Sequence, residues 1–175
     1  MLYTRKGDSG TTKTFGCDQR ISKSSIIAEA LGSLDEINSF LGLCKVKSDD
    51  EQKKIIHNIQ KNLFIVQAEL AGSKMSITEE KVKDIEMLVD NIEKELPPIK
   101  SFFISGGTEL AALYDIARTI VRRAERRVVA VSDEGKTSVA EFTKAYLNRL
   151  SSLFYALARL TNHKFGITEE GPDYL

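Results

Sequence analysis

The sequence contains no tryptophan, and among its 175 residues it has only two cysteines, two histidines and three prolines. Cys17 and Cys44 match no metal-ligand or redox spacing, and Cys44 continues a helical apolar pattern after Leu41, so it reads as a buried core thiol. His57 and His163 form no HExxH or other close pair, which argues against a transition-metal site built by the protein. Neither sign of charge is in excess: 25 basic residues face 25 acidic ones. A balanced chain has no global attraction to nucleic acid, so any anion binding must come from local clustering. Long apolar runs are missing too, and none approaches the roughly 20 residues that span a bilayer. The opening MLYTRKGDSG has neither the apolar core of a signal peptide nor an amphipathic transit helix. The expectation is a cytoplasmic protein without membrane or nucleic-acid partners.

What is present is a chain of single-domain length with 42% apolar residues, enough to bury a core without disulfides or metals. Residues 1–23 are rich in Gly, Thr, Ser and Lys and read as an ordered loop or a short strand pair. From Ser24 apolar residues recur at three- and four-residue steps. Ser25 can cap a first helix carrying Ile27, Ala30, Leu31, Leu34, Ile37, Leu41 and Cys44. A second helix runs from about Asp50 to near Gly72. A third starts at the capping sequence Thr78-Glu-Glu-Lys and is stopped by Pro97 and Pro98. An apolar connection from Ile99 closes on Gly106 and Gly107, and Thr108 can cap a fourth helix reaching about Ser132. A fifth occupies roughly Ser138 to His163, followed by a polar tail, 164–175, expected to be loosely held. The predicted fold is all-α: one domain over 1–175, with a loop region at 1–23 and a five-helix up-and-down bundle at 24–163.

The fourth helix carries the densest chemical signal. At about 100° per residue, Leu110, Leu113, Ala117, Ile120, Val121, Ala124, Val128 and Val131 form one apolar stripe. Arg118, Arg122 and Glu125 fall on one flank of it, Arg123 and Arg127 on the other, and Arg126 points further out. A solvated face with Arg–Glu pairs is one reading. Anion binding is the other, because lysine would serve solubility equally well whereas guanidinium suits bidentate contact with phosphate or carboxylate. The N-terminal YTRKGDSGTTK leaves a similar choice between a flexible terminus and a phosphate cradle of exposed backbone N–H groups. It lacks the Walker A spacing. Its Gly7-Asp8-Ser9-Gly10 looks like the nucleophile segment of trypsin-like proteases, but no histidine precedes Ser9, and that reading fails. Asp35 sits within an apolar helical pattern, where burial would require a cation and exposure would not. Asn148, a poor helix former in mid-helix, faces either a ligand or solvent.

Four segments occur in order: YTRKGDSGTT, GSLDEINSFLG, ARTIVRRAERRVV and YLNRLSSLFYALAR. Together they resemble the PduO-type ATP:cob(I)alamin adenosyltransferases over nearly the whole chain. The resemblance implies a five-helix bundle assembled as a homotrimer with active sites between subunits. It implies transfer of the 5′-deoxyadenosyl group of ATP to cob(I)alamin with release of triphosphate, with Mg²⁺ accompanying ATP. It also implies a corrinoid reductase or an adenosylcobalamin-dependent enzyme as a partner. On this resemblance Thr4, Arg5, Lys6, Gly7, Thr12, Lys13 and Lys23 match positions that wrap the triphosphate. Arg122, Arg123, Glu125 and Arg126 match the ATP-contacting helix, and Asn148 matches an asparagine on the last helix. Arg118 and Asp35 match a pair that bridges subunits, and Phe102 matches an aromatic that keeps the lower axial ligand off cobalt. Arg118, Arg122, Glu125 and Asp35 are thereby the expected catalytic set. Two positions depart from the family: Ser105 stands where a proline usually precedes the glycines, and Ser152 where an acid usually follows NRLS. The competing readings are a non-catalytic helical nucleotide-binding regulator and a purely structural bundle.

Overall fold

The computed structural model describes residues 3–14, 19–99, 102–135 and 137–173; Cys17 lies outside them. Among the described residues, two three-residue strands, β1 (Thr11–Lys13) and β2 (Arg20–Ser22), pair antiparallel, with Thr12 opposite Ile21. Five helices follow: α1 (Ile26–Lys47), α2 (Asp50–Leu70), α3 (Glu79–Glu95), α4 (Glu109–Asp133) and α5 (Glu141–Lys164). The expected all-α bundle is therefore present, and the N-terminal region takes the strand-pair form.

Local chemistry starts most of these helices. Ser25, Asp49 and Thr108 each accept a hydrogen bond from a backbone N–H of the first turn, at Ala28, Gln52 and Ala111. Thr78 occupies the cap of α3, but its side chain makes no cap bond. The third helical position holds Lys81 rather than a carboxylate, so no reciprocal capping box forms. Lys81 reaches Asn62 of α2 instead, at 2.8 Å. The start of α5 differs from expectation by about one turn. Val139 is drawn into the core, and the N–H of Ala140 is taken by Glu69 of α2 at 2.7 Å. Glu69 also accepts from the Thr143 hydroxyl, so α5 is capped by a side chain from a distant helix.

The helices pack in the spatial order α2–α1–α4–α5–α3. Residues Leu153 to Asn162 of α5 are almost all buried, because both α4 and α3 pack against that helix. Tyr114 of α4 stacks on Phe154 at 6.3 Å between ring centroids, and its hydroxyl meets Ser48 at 2.8 Å. Burial of each large apolar side chain contributes about 1.5–3 kcal/mol, so this shared α4–α5 seam dominates the core. The stripe on α4 is displaced at its start. Ala111 and Tyr114 are buried there, while Leu110 and Leu113 lie half-buried at the edge.

The tail is more firmly held than its polarity implied. Ile104 N–H donates to the carbonyl of Glu170 at 2.8 Å, and Arg159 pairs with Glu169 at 2.9 Å. No helix among the described residues is long and apolar enough to cross a membrane.

Candidate functional site

The N-terminal segment folds into a compact cradle. Gly10 adopts φ +76° and its N–H donates to the Gly7 carbonyl at 3.1 Å, while Lys23 N–H donates to the Gly10 carbonyl at 2.9 Å. Lys23 Nζ hangs over Gly7, 3.1 Å from the point where a Cβ would sit. A side chain at position 7 would push that ammonium away. Arg5 holds φ +57°, a left-handed conformation that costs a non-glycine residue free energy, and its guanidinium lies 5.4 Å from the Tyr3 ring centre. Lys6 N–H donates to the Thr4 hydroxyl at 3.4 Å. The residue that ties the loop together is one sequence reasoning missed. Arg20 donates to Thr11 Oγ1 at 2.7 Å, to the Thr11 carbonyl at 2.8 Å and to the Lys6 carbonyl. Its only sequence signal was its place in a basic, hydroxyl-rich stretch.

The arginines of α4 divide as the helical period requires. Arg123 pairs with Glu36 of α1, and Arg127 lies 3.8 Å from Glu29 of the same helix. These pairs are exposed, so each contributes at most about 1 kcal/mol and can be exchanged for another anion. On the opposite flank Glu125 is half-buried and accepts the Asn148 side-chain amide at 2.9 Å. Arg122 and Arg126 are exposed and make no ion pair or side-chain hydrogen bond among the described residues. Two guanidinium forks are therefore left open toward solvent beside the Glu125–Asn148 contact.

A third group surrounds a cavity of about 590 Å³ between the Ile99–Gly107 connection and the α4–α5 seam. Phe102 is 81% exposed at its mouth. Arg118 bonds to Asp115 at 3.3 Å and lies 6.0 Å from the Tyr155 ring centre. Burial raises the Tyr155 phenol above its ordinary value, with smaller effects from Arg159, Glu169, Asp115 and Arg118. Asn162, also unforeseen, holds the double-glycine turn: its side chain accepts from Thr108 N–H at 3.0 Å and donates to the Gly106 carbonyl at 2.9 Å. Ser105 lines the same cavity, whereas Ser152 is exposed on α5.

Asp35 is exposed. It lines a separate cleft with Lys13, Gly32, Phe64 and Gln67, and within one chain it shares no bond with Arg118. The cradle likewise makes no hydrogen bond or ion pair with Arg122 or Arg126 among the described residues. Among the described residues of one chain, the expected residues are thus not joined by direct bonds into a single site. No group of three His, Cys, Asp or Glu among the described residues is arranged to hold a metal ion.

A family model described as cobalamin adenosyltransferase matches residues 2–161. The chain is 41% identical over 170 residues to the corrinoid adenosyltransferase PduO of Citrobacter freundii, covering 93% of this chain and 50% of that protein. It is 39% identical over 175 residues to a corrinoid adenosyltransferase of Bacillus subtilis (strain 168), covering 95% of this chain and 89% of the relative. The chain spans about half the length of the PduO relatives it matches. Among solved structures, a variant PduO-type ATP:corrinoid adenosyltransferase from Lactobacillus reuteri, complexed with cobalamin and ATP, superimposes with a TM-score of 0.91. That match is 29% identical and covers 98% of this chain and 99% of the other.

Proposed function

Since the chain belongs to the cobalamin adenosyltransferase family, we propose that it transfers the 5′-deoxyadenosyl group of ATP to cob(I)alamin. The observation that carries this is the pair of open guanidinium forks, Arg122 and Arg126, on a helix whose other outward arginines are matched by carboxylates. In the reaction the cobalt(I) electron pair attacks C5′, a Co–C bond forms, the C5′–O bond breaks, and triphosphate leaves with the bonding electrons. The protein supplies no nucleophile. Its work is to align C5′ with cobalt and to stabilise the charge growing on the leaving oxygen.

Arg122 and Arg126 take the triphosphate, and Arg123 joins them by exchanging Glu36 for phosphate. Thr4, Arg5, Lys6, Gly7, Thr12, Lys13 and Lys23 of the cradle wrap the same polyanion, with Lys23 poised over Gly7. Asn148 orients Glu125 beside them. Mg²⁺, carried on the ATP phosphates, supplies further neutralisation. Phe102 covers one axial face of the corrinoid from its exposed position. An aromatic there offers no lone pair to cobalt, which lowers the orbital that the last electron must fill.

Among the described residues of one chain no hydrogen bond or ion pair joins the cradle to Arg122 or Arg126, which favours a site completed by a second chain. A homotrimer with sites between neighbours provides one, with Arg118 of one chain reaching Asp35 of the next. The cytoplasm supplies the ATP, and a corrinoid reductase or an adenosylcobalamin-dependent enzyme is the partner expected on either side of the step.

The test mixes the protein with ATP, Mg²⁺ and chemically reduced cobalamin and follows the corrinoid spectrum and triphosphate release. Adenosylcobalamin should form with one triphosphate per product. ATP binding without either product would instead identify a nucleotide-binding regulator and end the enzyme reading.

A further inference from the structure

Arg159 is a charged side chain left only 4% exposed near the C-terminal end of α5, and the tail, the end of α3 and the connection converge on it. Its Nε donates to both carboxylate oxygens of Glu169 in the tail, at 2.9 and 3.1 Å. One terminal nitrogen donates to the Pro97 carbonyl just beyond α3, at 3.1 Å. The guanidinium also lies 5.0 Å from the centre of the Phe103 ring in the connection. A second tie runs parallel, from Ile104 N–H to the Glu170 carbonyl at 2.8 Å. A buried guanidinium requires a counter-charge and filled donors, and here the tail provides the only carboxylate it meets among the described residues. Arg159 and Glu169 both line the cavity whose mouth carries Phe102.

We propose that Arg159 and Glu169 are a positioning pair for the corrinoid: they clasp the tail to the Ile99–Gly107 connection and so hold Phe102 at a set height over the cavity. This rests on the adenosyltransferase reading and extends it to two residues outside the arginine ladder. The pair acts through the backbone that follows Phe102, since Phe103 packs on the guanidinium and Ile104 is bonded to the tail. Small shifts in a placed group are costly when two reactants must be aligned. Among the described residues no hydrogen bond or ion pair joins the ATP-side residues to the pair, so the effect is expected on the corrinoid.

Glu169→Ala in the full chain is the test, because Glu169 lies in the tail outside the five helices, and the melting temperature is measured alongside to register the charge left on Arg159. The expected result is a corrinoid KM raised by roughly tenfold or more with an ATP KM within about twofold of wild type. The Ile104 amide should also exchange its hydrogen faster as the tail loosens. Glu169→Asp, which keeps the charge, should recover most of the corrinoid affinity. An unchanged corrinoid KM in an active protein overturns the inference. So does a parallel loss of ATP and corrinoid parameters with a lowered melting temperature, since that marks a merely structural pair. A wild-type protein that makes no adenosylcobalamin removes the functional reading itself, and the inference with it.

Discussion

Glu125 of α4 and Asn148 of α5 meet at 2.9 Å, and the Asn148 carbonyl is held in turn by Arg149 at 2.7 Å. Both ends of the Asn148 amide are therefore engaged, and Glu125 is drawn toward α5 instead of toward Arg122, three residues earlier on its own helix. That spacing is the one at which a carboxylate and a guanidinium attract on a helix surface. Asn148→Ala releases Glu125 to neutralise Arg122. The expected outcome is an ATP KM raised several-fold with kcat less affected, read from steady-state kinetics.

Arg122→Ala removes one open fork from an exposed position. Turnover should fall by roughly 10²–10³-fold, as expected for a donor aimed at developing charge. The far-ultraviolet circular dichroism and melting temperature should match wild type. Near-normal turnover would remove Arg122 from the triphosphate clamp. Arg127→Ala, whose partner Glu29 is an exposed residue at 3.8 Å, should stay close to wild-type activity.

Asp35→Asn tests the shared site. Asp35 makes no ion pair with a cation among the described residues of its own chain, which leaves it available to a second copy. Sedimentation should show weaker assembly, or kinetics a weaker corrinoid interaction. If both are unchanged, the pairing with Arg118 is wrong. A mixing experiment makes the same point from the other side. Lys23→Ala and Arg122→Ala, each expected to be strongly impaired alone, should recover activity when their subunits are exchanged, because some interfaces then carry an intact cradle and an intact arginine face.

Gly107→Ala places a Cβ at 2.4 Å from Asn162 Oδ1, at a residue with φ +96°. Both the clash and the left-handed backbone oppose it, and Asn162 cannot retreat without releasing Thr108 and Gly106. A loss of about 2 kcal/mol or more is expected from such a strained site. Chemical denaturation would measure it, and a loss under about 0.5 kcal/mol would show that the turn relaxes freely.

Stability should fall at alkaline pH. Burial raises the Cys44 thiol from its ordinary 9.0 to about 11, and burial likewise lifts the Tyr114 and Tyr146 phenols above their ordinary 10.0. The folded chain therefore keeps protons that the unfolded chain has released. This contribution is complete below pH 9.0 and is lost as pH rises through the raised values. Unfolding free energies measured across this range should decline together with phenolate absorbance. A flat profile from pH 9.0 upward would contradict the burial of all three groups.

Most of the fold was legible in the sequence because helices are local objects. The three- and four-residue recurrence, the Ser25 and Thr108 caps and the Pro97-Pro98 stop each act within a turn or two of chain. The same locality sorted the arginines: Arg123 and Arg127 do face one neighbour, α1, while Glu125 faces α5. The family resemblance supplied the proposed roles of the site residues, which periodicity alone left open.

Tertiary structure decided what depends on partners far away along the chain. Glu69 caps α5 from α2, which moved the helix start to Glu141 although local residues allowed an earlier one. Asn162 sets the glycine turn, Arg20 ties the cradle, and Arg159 pins a tail whose polarity alone gave no reason for order. Asp35 and Arg118 share no contact within the chain although the sequence suits them to each other. The physical reason is common to all of these. Periodicity tells which way a side chain points from its own helix, but a buried charge or backbone donor is satisfied only by what packing brings to it. By itself the sequence determined five helices and an arginine face; the packing decided which of those arginines remain open to bind an anion.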